Sequence, residues 1–158
     1  MHFFTQIKQP LASAKTSWQL VVLGALVGLL ASLAIVGLRL SIDLIQKYYM
    51  NVPDDFSQEN LIVRFLAPVI GAFVVLVIAH LGNQKYHRMG IPYVLHRQRK
   101  YYGYIPFGNS VSQFFSAISV IASGFSVGRE GPAVHIGAGM ASLLSLKLSL
   151  PKNTTRVL

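Results

Sequence analysis

The sequence predicts an all-α integral membrane protein with broken and tilted transmembrane helices. Hydrophobic residues make up 53% of its 158 residues and charged residues only 12%, which is too apolar for an ordinary soluble domain. Long uncharged runs alternate with loops that hold most of the charge. Toward the C-terminus, glycine and proline interrupt the apolar pattern. Lipid is therefore the expected solvent for much of the chain.

The first uncharged run, residues 20–38, contains nineteen residues. A helix of that length rises about 28 Å, which is close to the hydrocarbon thickness of a bilayer. Within it Gly24, Gly28 and Ser32 recur every four residues on one helix face. This spacing predicts that another helix packs closely there, with chance as the alternative because glycine is common in membrane helices.

The second span is predicted at residues 61–81, where residues 65–79 carry no charge and Pro68 lies near the start of that run. The intervening segment, residues 39–64, has four acidic and three basic residues and so a net charge of −1. The N-terminal arm, residues 1–17, and the loop at 82–104 are basic and contain no acid. The positive-inside rule therefore predicts that both are cytoplasmic.

A third apolar run, residues 105–127, contains polar residues at intervals, including Asn109, Gln113 and several serines. Such a helix cannot face lipid on all sides, because polar groups in a membrane need partners. We expect other helices to surround it, or we expect it to line an aqueous path. The run breaks at residues 128–132 and resumes as a further apolar segment that ends at Pro151.

The break contains Arg129 and Glu130, and ionisable residues between apolar helices are by default candidates for function. Gly128 and Gly131 allow the backbone to leave a helix, and Pro132 suits the first turn of the next one. The backbone N–H groups of residues 129–131 are then expected to point at one anion beside a positive helix end. Glu130 could occupy that site when ionised and leave it when protonated, whereas the alternative is a surface ion pair in a turn.

A second break has the sequence Arg88-Met89-Gly90-Ile91-Pro92. Glycine before Ile-Pro is typical of a helix start, here on the cytoplasmic side. A second positive helix end is therefore predicted to face the same anion path from below.

These residues resemble the CLC family of voltage-gated chloride channels and chloride/proton antiporters. The motif GREGP at residues 128–132, within SGFSVGREGPAVHIGAG, carries the likeness, and residues 88–92 match the family's GSGIP motif in part. The resemblance extends from about Trp18 to Pro151. It implies that residues 18–158 are the first half of an inverted-repeat transporter fold, truncated before the second half, and that this fragment does not conduct by itself.

The resemblance also implies roles for individual residues. Glu130 matches the gate and proton-coupling glutamate of the family. The expected anion-binding residues are Arg88, Met89, Gly90, Ile91, Gly128, Arg129 and Gly131. No catalytic residue, metal or cofactor is expected, and the implied partners are chloride or another small anion, protons and membrane lipid. The full-length protein is expected to be a homodimer and a multi-pass protein of a bacterial inner membrane or plasma membrane.

Two departures from the family pattern leave the substrate open. Met89 stands where the family has a chloride-contacting serine and cannot donate an O–H to the ion, so fluoride and nitrate are alternatives. Arg88 replaces a glycine and could instead raise the anion concentration at the cytoplasmic mouth. Channel and exchanger activity are not distinguished by these residues.

Other classes of function receive less support from the sequence. There is no RNA- or DNA-binding motif beside the basic residues, and no nucleophile elbow or activating partner for the serines, so neither nucleic-acid binding nor an enzyme is expected.

The histidines do not predict a metal site, because the spacing of a helical zinc motif is missing at His80, His87 and His96. His135 is expected to be a packed helix residue or, alternatively, a pH sensor. Tyr101, Tyr102, Tyr104 and Phe107 are expected to form an aromatic belt. The second hypothesis is a non-transporting membrane scaffold whose basic loop binds anionic lipid.

Overall fold

The computed structural model describes residues 17–50, 55–56, 59–81 and 89–150. In these residues every regular element is an α-helix, so the all-α prediction is confirmed. The N-terminal arm of residues 1–16 lies outside the described residues, and so does Arg88. The helices in chain order are α1 (Ser17–Tyr49), α2 (Leu61–Leu81), α3 (Ile91–Lys100), α4 (Phe107–Ala122) and α5 (Glu130–Lys147).

Helix α1 is longer than the predicted span of residues 20–38. It contains 33 residues and is therefore about 50 Å long, which exceeds a hydrocarbon thickness of about 30 Å. The additional turns persist because Ile42 and Gln46 are buried and extend the packed face of the helix. The expectation that the first loop begins at residue 39 is wrong, since the chain stays helical through Tyr49.

Helix α2 has the predicted boundaries but exposes nearly all of its apolar surface. Phe65, Phe73 and Leu76 are 74%, 65% and 67% exposed, and Gly71 is the buried residue of this helix. Both α1 and α2 are long and apolar enough to cross a membrane, and a helix from a soluble core would be covered instead. Pro68, near the start of the uncharged run, lies inside α2, seven residues after the first residue of the helix.

Helix α4 lies at the centre of the packed part of the chain, where it contacts α1, α2 and α5. The buried apolar cluster that joins α1, α4 and α5 comprises Leu38, Ile42, Ala117, Ile118, Ile121, Ala122 and Ile136. The burial of Asn109, Ser110 and Gln113 confirms that α4 does not face lipid on all sides.

Helices α4 and α5 form an antiparallel pair. The Ser142 hydroxyl oxygen lies 2.9 Å from the Ile105 nitrogen and accepts its N–H, at the start of α4. Farther along α4, Ser110 packs so closely on Gly139 that a side chain at this glycine would overlap it. Residue numbers thus rise along α4 as they fall along α5, which places the C-terminal end of α4 near the N-terminal end of α5.

Close helix packing occurs at different glycines from those predicted. A Cβ atom on Gly24 or Gly28 would meet nothing within 4 Å in the described chain, whereas one on Gly71 would overlap Ser123. The close packing predicted at Gly24 and Gly28 is therefore wrong for contacts among the described residues. The reason is that α1 turns a different face, which includes Leu23 and Val27, toward the interior.

Replacing Gly71 with alanine should lower the stability of the protein, because the new methyl group would push α2 away from α4. Overpacking of this kind costs about 1–3 kcal/mol. The Ser119 hydroxyl also donates to the Gly71 carbonyl oxygen at 3.1 Å, and that bond would lengthen. Thermal unfolding in detergent measures the loss, and Gly28→Ala is the matched control. Equal losses in the two variants would contradict the packing.

Candidate functional site

The C-terminus of α4 is closed by a glycine that leads the chain into the first break. Gly124 has φ 85°, a conformation that favours glycine. Its N–H donates to the carbonyl oxygen of Ile121, and the N–H of Phe125 donates to that of Val120 at 3.2 Å. This pair of bonds is the Schellman motif. The helix therefore ends at Ala122, two residues before Gly124, and residues 125–129 form a loop toward α5.

Helix α5 begins at Glu130, as the motif predicted, and leaves backbone donors at its start. Arg129 precedes the helix with φ −74° and ψ −12°, and its carbonyl oxygen accepts the first bond, from Ala133 at 3.2 Å. The amides of Glu130 and Gly131 lie ahead of that bond, and Pro132 has no N–H. The positive end of the helix dipole lies at the same place. The start of α5 therefore has the donors and the polarity that an anion requires.

The glycines of this break have a different role from the one expected. Neither Gly128 nor Gly131 is among the described residues with positive φ. A Cβ atom at either position would meet nothing within 4 Å in the described chain. The departure from the helix is thus made at Gly124, whereas the space beside Gly128 and Gly131 is open in the described chain.

The second break also opens a helix as predicted. Gly90 caps α3 with φ 82° and ψ −172°, and Pro92 lies in the first turn. The Gly90 carbonyl oxygen accepts the N–H of Val94 at 3.2 Å. Met89 and Gly90 are half-buried, while Ile91 is exposed. A second positive helix end therefore lies at residues 89–91.

A hydrogen bond links the second break to helix α5. The N–H of Gly90 donates to Nδ1 of His135 at 3.2 Å, and His135 is completely buried. The ring of Tyr93 stacks on the His135 ring, with 5.6 Å between centroids and 9° between planes. His135 follows Glu130 by five residues, which is about 7.5 Å along α5. The start of α3 thus lies beside the second turn of α5.

The expectation that His135 is a packed helix residue is confirmed, but its contact with Gly90 was not predicted. The two residues are 45 positions apart, and no sequence pattern pairs a histidine with a distant backbone amide. The bond also changes the expected donor set. Because the Gly90 N–H already has an acceptor, it is not an uncommitted donor for an anion.

Glu130 is exposed and forms no ion pair with any described residue, so the surface ion pair between Arg129 and Glu130 is not found there. A cleft of about 390 Å³ lies beside the loop that leads to it. The lining of this cleft combines α1 and α4 residues, including Gln46 and Ile121, with the loop from Gly124 to Arg129. The carboxylate is therefore at an accessible position next to the α5 amides.

An arginine packs against three tyrosines between α3 and α4. The guanidinium carbon of Arg97 lies 5.8 Å, 4.2 Å and 5.3 Å from the ring centroids of Tyr93, Tyr101 and Tyr104. The sequence predicted that Tyr101 and Tyr104 belong to an aromatic belt, and in the structure both rings contact the Arg97 guanidinium.

Among the described residues no group of three or more His, Asp or Glu side chains could hold a metal ion.

Comparison with known proteins identifies the larger part of the chain. A family model described as voltage gated chloride channel matches residues 70–158, a range that contains both breaks and more than half of the sequence. No curated protein and no solved structure matches the chain significantly.

Proposed function

Because the chain belongs to the voltage-gated chloride channel family, we propose that it carries chloride, or a related small anion, across a membrane along a path lined by the starts of α3 and α5. The single observation that carries this proposal is the contact between Gly90 and His135, which holds the start of α3 against α5 five residues after Glu130. Each start offers backbone N–H groups and the positive end of a helix dipole.

The chemistry of these donors suits transport. Backbone amides bind an anion without a full positive charge, so the ion is held weakly enough to leave again. The donors that we assign to the outer anion are the amides of Glu130 and Gly131, with Gly128 giving access and Arg129 adding positive potential. Met89 and Ile91 contribute the inner donors, and Gly90 contributes the backbone conformation that directs them.

Glu130 serves in this proposal as the gate. An ionised carboxylate at the start of α5 is itself an anion and competes for the same amides. When a proton neutralises it, the carboxyl group loses that attraction and the transported ion can take its place. The same residue would then carry protons in an exchanger or open the path in a channel, and both activities agree with the geometry.

The membrane arrangement that we propose follows from charge and exposure. Helices α1 and α2 cross the bilayer with the N-terminus in the cytoplasm, because the basic segments lie before α1 and after α2. Their uncovered apolar faces contact lipid, and in the full-length protein part of that surface contacts a second copy. The bilayer is that of a bacterial inner membrane or a plasma membrane.

Anion efflux from liposomes tests the proposal. The complete gene product is reconstituted, and efflux is measured separately with chloride, fluoride and nitrate at a clamped membrane potential. Efflux well above that of protein-free liposomes is expected for at least one anion. A folded protein that moves none of the three would contradict transport and favour a membrane scaffold.

Replacing Met89 with serine should raise the preference for chloride over nitrate and fluoride. The serine hydroxyl would add one neutral hydrogen bond at the start of α3, and such a bond contributes about 0.5–1.5 kcal/mol, or roughly a twofold to tenfold change in binding. Competition between anions in the liposome assay measures the shift. Met89→Ala shortens the side chain without adding a donor and is the matched control, so a similar shift in both variants would rule out the hydroxyl as its cause.

A further inference from the structure

We infer that His135 is a positioning residue that caps the start of α3 from outside and thereby sets the spacing between the two anion-binding helix starts. The inference rests on the proposed function for its effect on transport. The contact itself does not depend on that function, because it is a hydrogen bond between a backbone N–H and a buried side chain.

Helix α3 needs an acceptor from elsewhere. It has ten residues, and a helix this short depends on tertiary contacts for its stability. Its cap residue is Gly90, which has no side chain, and among the described residues no side chain of the local sequence caps this helix start. The first N–H groups of a helix require partners outside the helix. Nδ1 of His135 supplies an acceptor for the Gly90 N–H.

The bond defines the tautomer of the histidine. A backbone N–H can only donate, so Nδ1 must be unprotonated and the neutral ring carries its proton on Nε2. Nε2 is buried and has no hydrogen-bond partner among the described residues. The polar contact that orients this ring within the described chain is therefore the one with Gly90.

Tyr93 adds a second contact from the same helix. Its ring is nearly parallel to the His135 ring, while Gly90 meets the edge of that ring. Helix α3 thus contacts His135 at an edge and at a face, and both contacts come from its first turn. These two contacts fix the position of the α3 start along the axis of α5. That position is at His135, which is about 7.5 Å from Glu130 along the helix axis.

Two variants of nearly equal size separate the acceptor from the packing. His135→Asn places a side-chain oxygen near the position of Nδ1, whereas His135→Leu has the same branching and no acceptor. His135→Phe is the additional variant that keeps a ring for Tyr93 to stack on. All three are made in the complete gene product and compared with the wild type in liposomes.

Hydrogen–deuterium exchange of the peptide that contains residues 89–94 is the first readout. We expect about tenfold faster exchange at the start of α3 in the Leu and Phe variants and recovery toward the wild-type rate in the Asn variant. Anion efflux is the second readout. The chloride concentration for half-maximal rate should rise about tenfold in the Leu and Phe variants and less in the Asn variant.

The outcomes distinguish this inference from the proposed function. If the wild type moves no anion, the proposed function fails and the exchange measurement still decides whether His135 caps α3. Wild-type exchange in both the Leu and Phe variants would overturn the inference, and so would an Asn variant no better than Leu. If the Leu variant does not fold, the Phe variant, which preserves the stacking, decides the question.

Discussion

Replacing Glu130 with glutamine should abolish the pH dependence of anion efflux while efflux itself continues. Glutamine has nearly the shape of glutamate and cannot ionise, so it mimics the protonated gate at every pH. A negative charge would no longer compete with the transported ion for the amides of Glu130 and Gly131, which lie ahead of the first hydrogen bond of α5. In an exchanger, the same change should also stop the movement of protons that accompanies the anion.

Efflux measured over a pH series that titrates carboxylates gives the result. The wild type should change its rate by about tenfold or more over that series, which corresponds to about 1.4 kcal/mol, and the variant should change little. Asp43→Asn is the matched control, because it also removes one carboxylate, from an exposed pair with Arg39 at 3.9 Å in α1. A pH response in Glu130→Gln that equals that of the wild type would show that another group is the gate.

Replacing Gly90 with alanine should reduce anion transport by about tenfold or more. With φ 82° and ψ −172°, Gly90 has a backbone conformation that is nearly confined to glycine, and a residue with a side chain would be strained there by about 1–3 kcal/mol. The chain would relieve the strain by rotating the peptide, which turns the Gly90 N–H away from His135 and redirects the donors at the start of α3. A Cβ atom would otherwise have room, since its nearest neighbour is the Pro92 Cδ at 3.8 Å.

Gly103 provides a control that also has a positive φ. Its φ is 82°, but it lies in the connection between α3 and α4 and not at a helix start of the site. We expect both Gly90→Ala and Gly103→Ala to lose thermal stability, with the large loss of transport confined to Gly90→Ala. Equal losses of transport in the two variants would mean that strain alone, and not the direction of the α3 donors, is responsible.

Much of the fold could be predicted from the sequence because the relevant signals are local. The boundaries of α2 follow from an apolar run, and the starts of α3 and α5 follow from glycine and proline in short motifs. The burial of α4 follows from its polar residues, since the cost of polar groups in lipid does not depend on the details of packing. The two helix starts could be expected from these local motifs, whereas the binding of an anion there stays a prediction.

The remaining features depend on contacts between distant segments. The extra turns of α1 form because Ile42 and Gln46 are buried in the fold, and their local sequence contains charges that are typical of a loop. The contact between Gly90 and His135 requires a register between α3 and α5 that no local pattern specifies. The same limit applies to Gly71, whose close neighbour in α4 is more than forty residues away.

In the proposed mechanism, backbone amides at the start of α5 bind the transported anion in competition with Glu130. Anomalous diffraction from crystals of the complete gene product soaked in bromide tests this binding most directly. In the Glu130→Gln variant we expect a bromide peak within hydrogen-bond distance of the amides of Glu130 and Gly131, and in the wild type at neutral pH a weaker peak at that position. Bromide bound elsewhere in both proteins, with none at these amides, would contradict the account.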